Sequence, residues 1–258
     1  MAEESKFIEE RQQRIIELLQ EYGRITVKEL CRLFNVSNVT IRSDLNELER
    51  KGFLKRTHGG AMAADHNSPE IPFNLRMKKH SEEKERMAKA AAELIIDGEA
   101  VFIDGGTTVT VIRLFLKEKN DITIITPSIE TASYLSHNTS LDIFVMGGFL
   151  KRESFSTLGA SSENVIKDWN ISKAFYGAYG FTPEHGLTDI HTGFIEQKKF
   201  IAGKAQTNIG MIDSSKWGKV SLDTFLPTKD IDIIISDKNS PPDMIEAMEQ
   251  NGIQAILV

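Results

Sequence analysis

Residues 36–50 read Val36-Ser37-Asn38-Val39-Thr40-Ile41-Arg42-Ser43-Asp44-Leu45, then Asn46 through Arg50. Ser37 is suited to cap a helix, because its hydroxyl can accept from a free amide of the first turn. Ile41, Leu45 and Leu48 recur at helical spacing and make one apolar stripe. At about 100° per residue, Val39, Ser43, Asn46 and Arg50 fall on the opposite side, flanked by Thr40, Arg42 and Glu47. A short helix with an apolar stripe and a face of Ser, Asn, Thr and Arg has the form of a DNA recognition helix. Such side chains bond base edges, and arginine also reaches phosphate. The same pattern describes an ordinary amphipathic surface helix, so the flanking segments decide between the two.

Upstream, Ile8, Ile15, Leu18 and Leu19 give helical spacing across Glu9 to Tyr22, and Gly23 stops that helix. After the link Arg24-Ile25-Thr26-Val27, Thr26 is placed to cap a second helix with Glu29 at the capping-box position. That helix runs from Val27 to Phe34, and Asn35-Val36-Ser37 turns into the third. This order is the helix-turn-helix plan. Downstream, Phe53 to Ala61 is short, basic and β-prone, and ends in Gly-Gly. It predicts a hairpin wing along the DNA backbone. The expected DNA-facing residues are Ser37, Asn38, Val39, Thr40, Arg42, Ser43, Asn46 and Arg50 on the helix, with Lys55, Arg56, Thr57 and His58 on the wing. Cys31, the single cysteine, reads as a small core filler, and an internal disulfide is excluded.

The net charge of -6 suits a DNA-binding protein only when divided by region. Residues 1–60 hold 11 Lys/Arg against 10 Asp/Glu, and the rest carry a net of -7. Arg42, Arg50, Lys51, Lys55 and Arg56 cluster after most of the early acids. A local basic face on an acidic body still permits phosphate contacts, because the effect is short-ranged at physiological salt. Hydrophobic residues at 40% are enough to build a sizeable core. Glu3, Glu4, Glu9 and Glu10 argue against a leading signal peptide, and no apolar run has membrane-spanning length. A reducing cytoplasm is the expected location, with no membrane partner.

Residues 63–76 contain two prolines and little periodicity, which reads as a linker. Ser81 to Ile96 forms a helix with Met87, Ala90, Ala91, Leu94 and Ile95 on one stripe, and Ser81-x-x-Lys84 is a poor capping box. Strands are expected at Ala100–Ile103, Ile122–Ile125, Asp142–Met146, Ala174–Tyr176, Ile209–Ile212, Ile233–Ser236 and Ala255–Val258. Helical spacing resumes at Val109 to Lys117, and further helices are expected at Ile129–Ser136, Ser161–Asp168, Gly193–Ala205 and Pro242–Gln250. Alternation of this kind implies a mostly parallel sheet with helices on both faces. The predicted organisation is a winged helix-turn-helix domain at 1–62, a linker at 63–80 and a larger α/β domain at 81–258.

Ligands of open α/β sheets bind beyond the carboxyl ends of the strands. Asp104-Gly105-Gly106-Thr107-Thr108 sits there. Its glycines let amides approach a ligand, and the following helix start favours an anion such as phosphate. Asp104 would then point away, toward sugar hydroxyls. Thr126-Pro127-Ser128, Gly147-Gly148 and Asp213-Ser214-Ser215-Lys216 end three further strands. The first supplies hydroxyls, the second is more a turn than a contact, and the third offers a lysine and a carboxylate.

These residues resemble a known family. Val27-Lys-Glu-Leu30, Val36-Ser37, Thr40-Ile41-Arg42-x-Asp44-Leu45 and Arg56-Thr57-His58-Gly59-Gly60-Ala61 look like the DNA-binding domain of the DeoR family of bacterial transcriptional regulators. Asp104-x-Gly106-Thr107-Thr108, Thr126-x-Ser128, Gly147-Gly148, Gly159 and Asp213-Ser214-Ser215-Lys216-x-Gly218 look like its C-terminal sensor domain. The resemblance implies a fold similar to ribose-5-phosphate isomerase and a phosphorylated sugar as effector, with Gly105 to Thr108 holding the phosphate and Lys216 reaching the ligand. It further implies a repressor of a sugar-metabolism operon, bound to double-stranded operator DNA as a homo-dimer or tetramer. Two departures stand out. Ser43 replaces a basic or amide residue, and Pro127 replaces a common Asn. Glu196 matches a frequent acidic position of the family.

The alternative is a phosphosugar isomerase or deaminase, since an Asp/Lys pairing permits proton transfer beside a carbonyl. No second carboxylate clusters with Asp104 in its loop, so the expectation is a non-enzyme with no catalytic residues and no cofactor. His185, Asp189 and His191 have no specific metal-ligand spacing, and no metal is expected.

Overall fold

The computed structural model describes residues 2–22, 24–63, 73–159 and 161–258. Most of the proposed linker, 64–72, lies outside them. The chain divides into two compact units, Met1–Leu75 and Arg76–Val258.

In the first unit α1 (Ala2–Tyr22), β1 (Arg24–Thr26), α2 (Val27–Phe34), α3 (Asn38–Arg50), β2 (Leu54–Thr57) and β3 (Gly60–Ala63) follow in order. Thr26 accepts from the Glu29 amide and the Glu29 carboxylate accepts from the Thr26 amide, so the capping box forms. Ser37 caps α3 by accepting from the Thr40 amide at 3.1 Å. Ile41, Leu45 and Leu48 are buried against Ile15, Leu19, Leu30 and Leu54 in one core. The expected hairpin is β2 with β3. The link at 24–26 is itself a strand, β1, pairing antiparallel with β3 to give the order β1-β3-β2. Three residues are too few to show alternation, so pairing alone makes this segment a strand.

Asp44 lies on the buried side of α3, 4% exposed, and joins it to α1. Its carboxylate accepts from Arg11 Nε at 2.6 Å, Arg11 Nη2 at 3.3 Å and Gln12 Nε2 at 3.2 Å.

A short helix α4 (Phe73–Lys78) lies inside the 63–80 stretch. The second unit then runs α5 (Ser81–Glu93), β4 (Ala100–Ile103), a 3-10 segment (Val109–Phe115), β5 (Thr123–Thr126), α6 (Ile129–Asn138), β6 (Asp142–Val145), β7 (Phe149–Lys151), β8 (Ser156–Leu158), α7 (Ser161–Ile166) and β9 (Ile171–Gly177). After these come β10 (Gly180–Thr182), β11 (Gly186–Asp189), α8 (Thr192–Ala202), β12 (Ala205–Met211), β13 (Asp223–Leu226), β14 (Ile233–Ser236), α9 (Pro242–Gln250) and β15 (Gln254–Leu257).

The seven expected strands form one parallel sheet in the order β15-β14-β12-β9-β4-β5-β6. Alternating side chains feed two cores. Phe102, Ile125, Ala174, Tyr176 and Ile234 join Ile195 and Ile201 of α8 and Ile245 and Met248 of α9. Val101, Ile103, Ile124, Phe175 and Ile235 join Met87 and Ala91 of α5 and Leu135 of α6 on the other face. Helices therefore cover both faces, as a parallel sheet requires.

Two differences from the sequence reading have physical causes, and the poor cap expected for α5 is seen. Val109–Phe115 is a 3-10 segment, because Val109, Thr110, Val111 and Ile112 are β-branched and crowd an α-helix. The Thr110 hydroxyl also donates back to Gly106 O at 2.8 Å. The hairpin β7-β8 and the small sheet β10-β11-β13 are built from strands of three or four residues. His80 at the start of α5 is left-handed and makes no side-chain cap.

Replacing Asp44 by alanine leaves Arg11 and Gln12 without their shared acceptor. Urea unfolding of the full chain should show the N-terminal unit about 2 kcal/mol less stable, the scale of hydrogen bonds to a buried charge. An unchanged midpoint would remove this role from Asp44.

Candidate functional site

The first candidate face is α3 with its wing. Asn38, Val39, Arg42, Ser43 and Arg50 are exposed, and Val39 is 78% exposed despite being apolar. Lys55, Thr57 and His58 are exposed on the wing. The remaining expected contacts are engaged with their neighbours. Ser37 and Thr40 share a hydroxyl bond of 2.8 Å at the cap. Arg56 donates from its backbone to Glu49 Oε1 at 2.6 Å, and its guanidinium reaches Asn46 Oδ1 and the carbonyl of Gly60 at 3.3 Å. Arg56 and Asn46 thus fasten the wing to the recognition helix. Arg42, Arg50 and Lys55 are exposed cations of this face, and Lys51 is paired to Glu47 at 2.7 Å.

The second candidate face is the carboxyl end of the parallel sheet. The chain order reverses between β4 and β9. From β4 the strands proceed to β5 and β6 on one side, and from β9 to β12, β14 and β15 on the other. A crevice opens where neighbouring strands send their connections opposite ways. Here its walls are the loops after Ile103 and after Gly177.

Asp104 holds the two loops together. Its Oδ1 accepts from the Gly105 amide at 2.7 Å and its Oδ2 from the Gly177 amide at 3.1 Å. Lys198 of α8 stands 3.0 Å from Asp104 Oδ2 and 2.7 Å from Asp189 Oδ2, and donates to Gly177 O at 2.8 Å. Its ammonium also lies 4.6 Å from the Phe225 ring centre. Burial would depress the basicity of Lys198, but Asp104 and Asp189 raise it above the ordinary value, so it stays charged. The Asp104 carboxylate therefore faces protein partners and is only 4% exposed. The sugar-hydroxyl role expected for it meets a side chain already satisfied.

Beside this trio lies a positive corner. Lys84 of α5 is 4% exposed, and its Nζ donates to Thr107 Oγ1 at 3.2 Å and to the carbonyl of Arg76. Burial lowers its pKa to about 8; Asp213 opposes the shift, and Lys216, Arg76 and Lys79 add to it. Burial likewise lowers Lys216, against the pull of Asp213, with Lys79, Lys219 and Arg76 repelling. Burial would raise the Asp213 carboxyl, but Lys216 and the bonds from Ser215 hold it below the usual range. Asp213 accepts from the Ser215 amide at 3.0 Å and from its hydroxyl, and so caps the turn that presents Lys216. Lys84 and Lys216 thus share Asp213 as counter-charge and feel the repulsion of Arg76 and Lys79, with Lys84 bonded to the Thr107 hydroxyl.

The other expected residues serve mainly as framework. Thr126 Oγ1 accepts from the Ser128 amide at 3.0 Å, and Ser128 Oγ caps α6 by accepting from the Thr131 amide at 3.1 Å. Gly147 donates to Ser162 Oγ at 2.5 Å. Gly148 has φ 128°, and a Cβ there would come within 1.9 Å of Leu158 O, so it is a turn glycine. Gly105 closes on the β7-β8 hairpin, since a Cβ would lie 2.0 Å from Ser156 Oγ. Thr108 is buried at the start of the 3-10 segment.

Sequence reasoning missed Lys84, Lys198, Asp189 and the loop after β9. Lys84 lies three and seven residues before Met87 and Ala91, on the apolar stripe of α5. A lysine on a buried stripe was the available signal. Lys198 is likewise four residues after Phe194 and three before Ile201. Its partners are remote in sequence, so nothing local marks the trio.

The profile of the DeoR C terminal sensor domain matches residues 79–238, and that of the DeoR-like helix-turn-helix domain matches residues 11–67. The chain belongs to the DeoR family. It is 32% identical to the HTH-type transcriptional regulator GolR of Listeria innocua over 244 residues, covering 95% of this chain and 96% of the relative. It is also 32% identical to the HTH-type transcriptional repressor GlcR of Bacillus subtilis, covering 96% of each. Among solved structures, a D-ribose-5-phosphate isomerase in complex with phospho-erythronic acid is similar at 20% identity. That match covers 53% of this chain and 54% of that one, with a TM-score of 0.41.

Two other features of this DeoR-family chain bear on its chemistry. The His185 ring bonds Thr182 at 3.0 Å, the His191 ring bonds Lys151 at 2.8 Å, and Asp189 holds Lys198 and accepts from the His191 amide at 3.3 Å. Among the described residues no helix is long and apolar enough to cross a membrane.

With Arg56 engaged by Asn46, the exposed Arg42 should dominate DNA contact from α3. Arg42→Ala is expected to weaken operator binding by more than about 1 kcal/mol in a fluorescence anisotropy titration. Equal affinity for the variant and the parent would contradict this docking face.

Proposed function

We propose that this DeoR-family protein represses a sugar-metabolism operon and that a phosphorylated sugar, bound in its C-terminal unit, changes its affinity for operator DNA. The observation that carries the sensing half is the cation cluster. Lys84, bonded to Thr107, and Lys216 are both repelled by Arg76 and Lys79, with Asp213 as their counter-charge. A phosphate dianion relieves that repulsion and replaces solvent around the buried ammonium groups. The Gly105 amide is taken by Asp104, and the amides of Gly106 to Thr108 in the same loop are the donors we assign to the anion. We assign the phosphate to Thr107, Lys84 and Lys216, and the sugar to the crevice between the loops after β4 and β9.

The DNA-binding half rests on the exposed face of α3 and the basic wing. The relatives' names as a transcriptional regulator and a repressor accord with it. We read the protein as cytoplasmic and as a homo-oligomer, because helix-turn-helix proteins usually read paired half-sites.

A binding role suits the trio better than catalysis. Asp104 is committed to Lys198 and two amides, and Lys198 is held charged, so neither is available to move a proton.

Operator affinity should shift with at least one member of a panel of triose, pentose and hexose phosphates, measured by anisotropy with labelled DNA. No shift across the panel, and none with their unphosphorylated sugars, would end the sensor proposal. Binding should also depend on pH. A bound dianion favours the charged form of Lys84, so complex formation takes up a proton wherever that lysine is partly neutral. Calorimetry should show affinity falling as pH rises above about 8, by up to about tenfold per unit, and Lys84→Met should flatten that decline. A pH-independent affinity between 7.5 and 9.5 would remove Lys84 from the site.

A further inference from the structure

The loop after β9 reads Gly177-Ala178-Tyr179-Gly180, and its aromatic has no part in the core clusters. Tyr179 is half-buried, and its amide donates to Thr188 O at 3.0 Å, which fixes the backbone at that point. Lys216 Nζ stands 5.6 Å from the ring centre and Arg76 Cζ 6.0 Å. The His191 ring meets it edge-on, with centroids 6.4 Å apart. Two cations of the positive corner therefore border this ring. The ring itself hangs from the loop after β9, one wall of the switch-point crevice.

We propose that Tyr179 is the specificity-determining residue of the effector site, the wall against which the carbon skeleton of a phosphorylated sugar rests. This rests on the reading of the site given above and adds to it the residue that distinguishes one sugar phosphate from another. Three features support the assignment. The phosphate corner recognises only the group that all such effectors share, so discrimination has to come from elsewhere in the crevice. Asp104, on the opposite wall, is spent on Lys198 and two amides. An aromatic ring with a hydroxyl tip combines what a sugar skeleton needs, an apolar surface for its C–H groups and one polar contact for a hydroxyl.

The ring also neighbours Lys216 and Arg76, so its removal has to be separated from a change in the phosphate corner. Inorganic phosphate makes that separation, because it has no skeleton to touch the ring. The experiment is isothermal titration of the full chain, its Tyr179→Ala and Tyr179→Phe variants, and Lys216→Met. The probes are inorganic phosphate and the triose, pentose and hexose phosphates.

In Tyr179→Ala we expect inorganic phosphate affinity within about twofold of the parent. The best sugar phosphate should bind about tenfold more weakly, and the spread across the panel should narrow, as expected for one lost ring contact. Tyr179→Phe should keep most of the affinity and alter the rank order among sugars that differ in a hydroxyl. Lys216→Met should weaken phosphate and sugar phosphates alike. If Tyr179→Ala weakens phosphate and sugar phosphates equally, the ring acts only by placing cations and the proposal falls. It falls too if the variant keeps the parent's selectivity. A parent chain that binds neither phosphate nor any panel member removes the sensor reading itself, and this inference with it.

Discussion

Lys198 is charged, buried and held between Asp104 and Asp189, and the carboxyl-end crevice of the sheet takes its shape from that trio. Removing a single partner from such a buried group costs about 3–5 kcal/mol, against a typical whole-domain stability of about 5–15 kcal/mol. The trio joins the end of β4, the end of β11, the loop after β9 and helix α8. It also turns the one acid of the Gly-rich loop inward. Were Asp104 to face the crevice, its charge would repel the anion that the rest of the loop favours. With Asp104 paired to Lys198, its charge does not compete with the anion we propose for this loop.

The same logic reconciles an acidic body with the anion we propose as its effector. The region after residue 60 carries a net of -7, yet its positive side chains are unevenly placed. Arg76 and Lys79 flank the start of α5, Lys84 is buried on that helix, and Lys216 comes from the turn after β12. Arg76, Lys79 and Lys84 come from one short stretch of chain, and the fold brings Lys216 to them at the carboxyl end of the sheet. Burial, reinforced by the neighbouring cations, depresses Lys84 and Lys216, which accords with the anion site proposed.

The architecture was largely legible because its signals are local. Ile41, Leu45 and Leu48 gave the stripe of α3, Thr26 and Glu29 gave a capping box, and seven apolar runs became the seven parallel strands. Hidden features were those defined by distant partners. Arg24–Thr26 is a strand only because β3 lies beside it, and Val109–Phe115 tightens because its β-branched residues resist an α-helix. Within the site, the loop 104–108 and Lys216 were visible as strand-end chemistry. Lys84 was hidden on an apolar stripe. Asn46 and Arg56 looked like DNA contacts by position, and their bond to each other across the helix and wing is a tertiary fact.

The account joins two binding events in one chain, and thermodynamic linkage makes the joint claim measurable without reference to any one residue. An effector that changes operator affinity by some factor must have its own affinity changed by operator DNA by that same factor. The direct test is to titrate the phosphorylated effector into the full chain, once alone and once saturated with operator DNA. The account predicts two different affinities whose ratio equals the effector's influence on DNA binding. Identical effector affinity in the presence and absence of operator would contradict it.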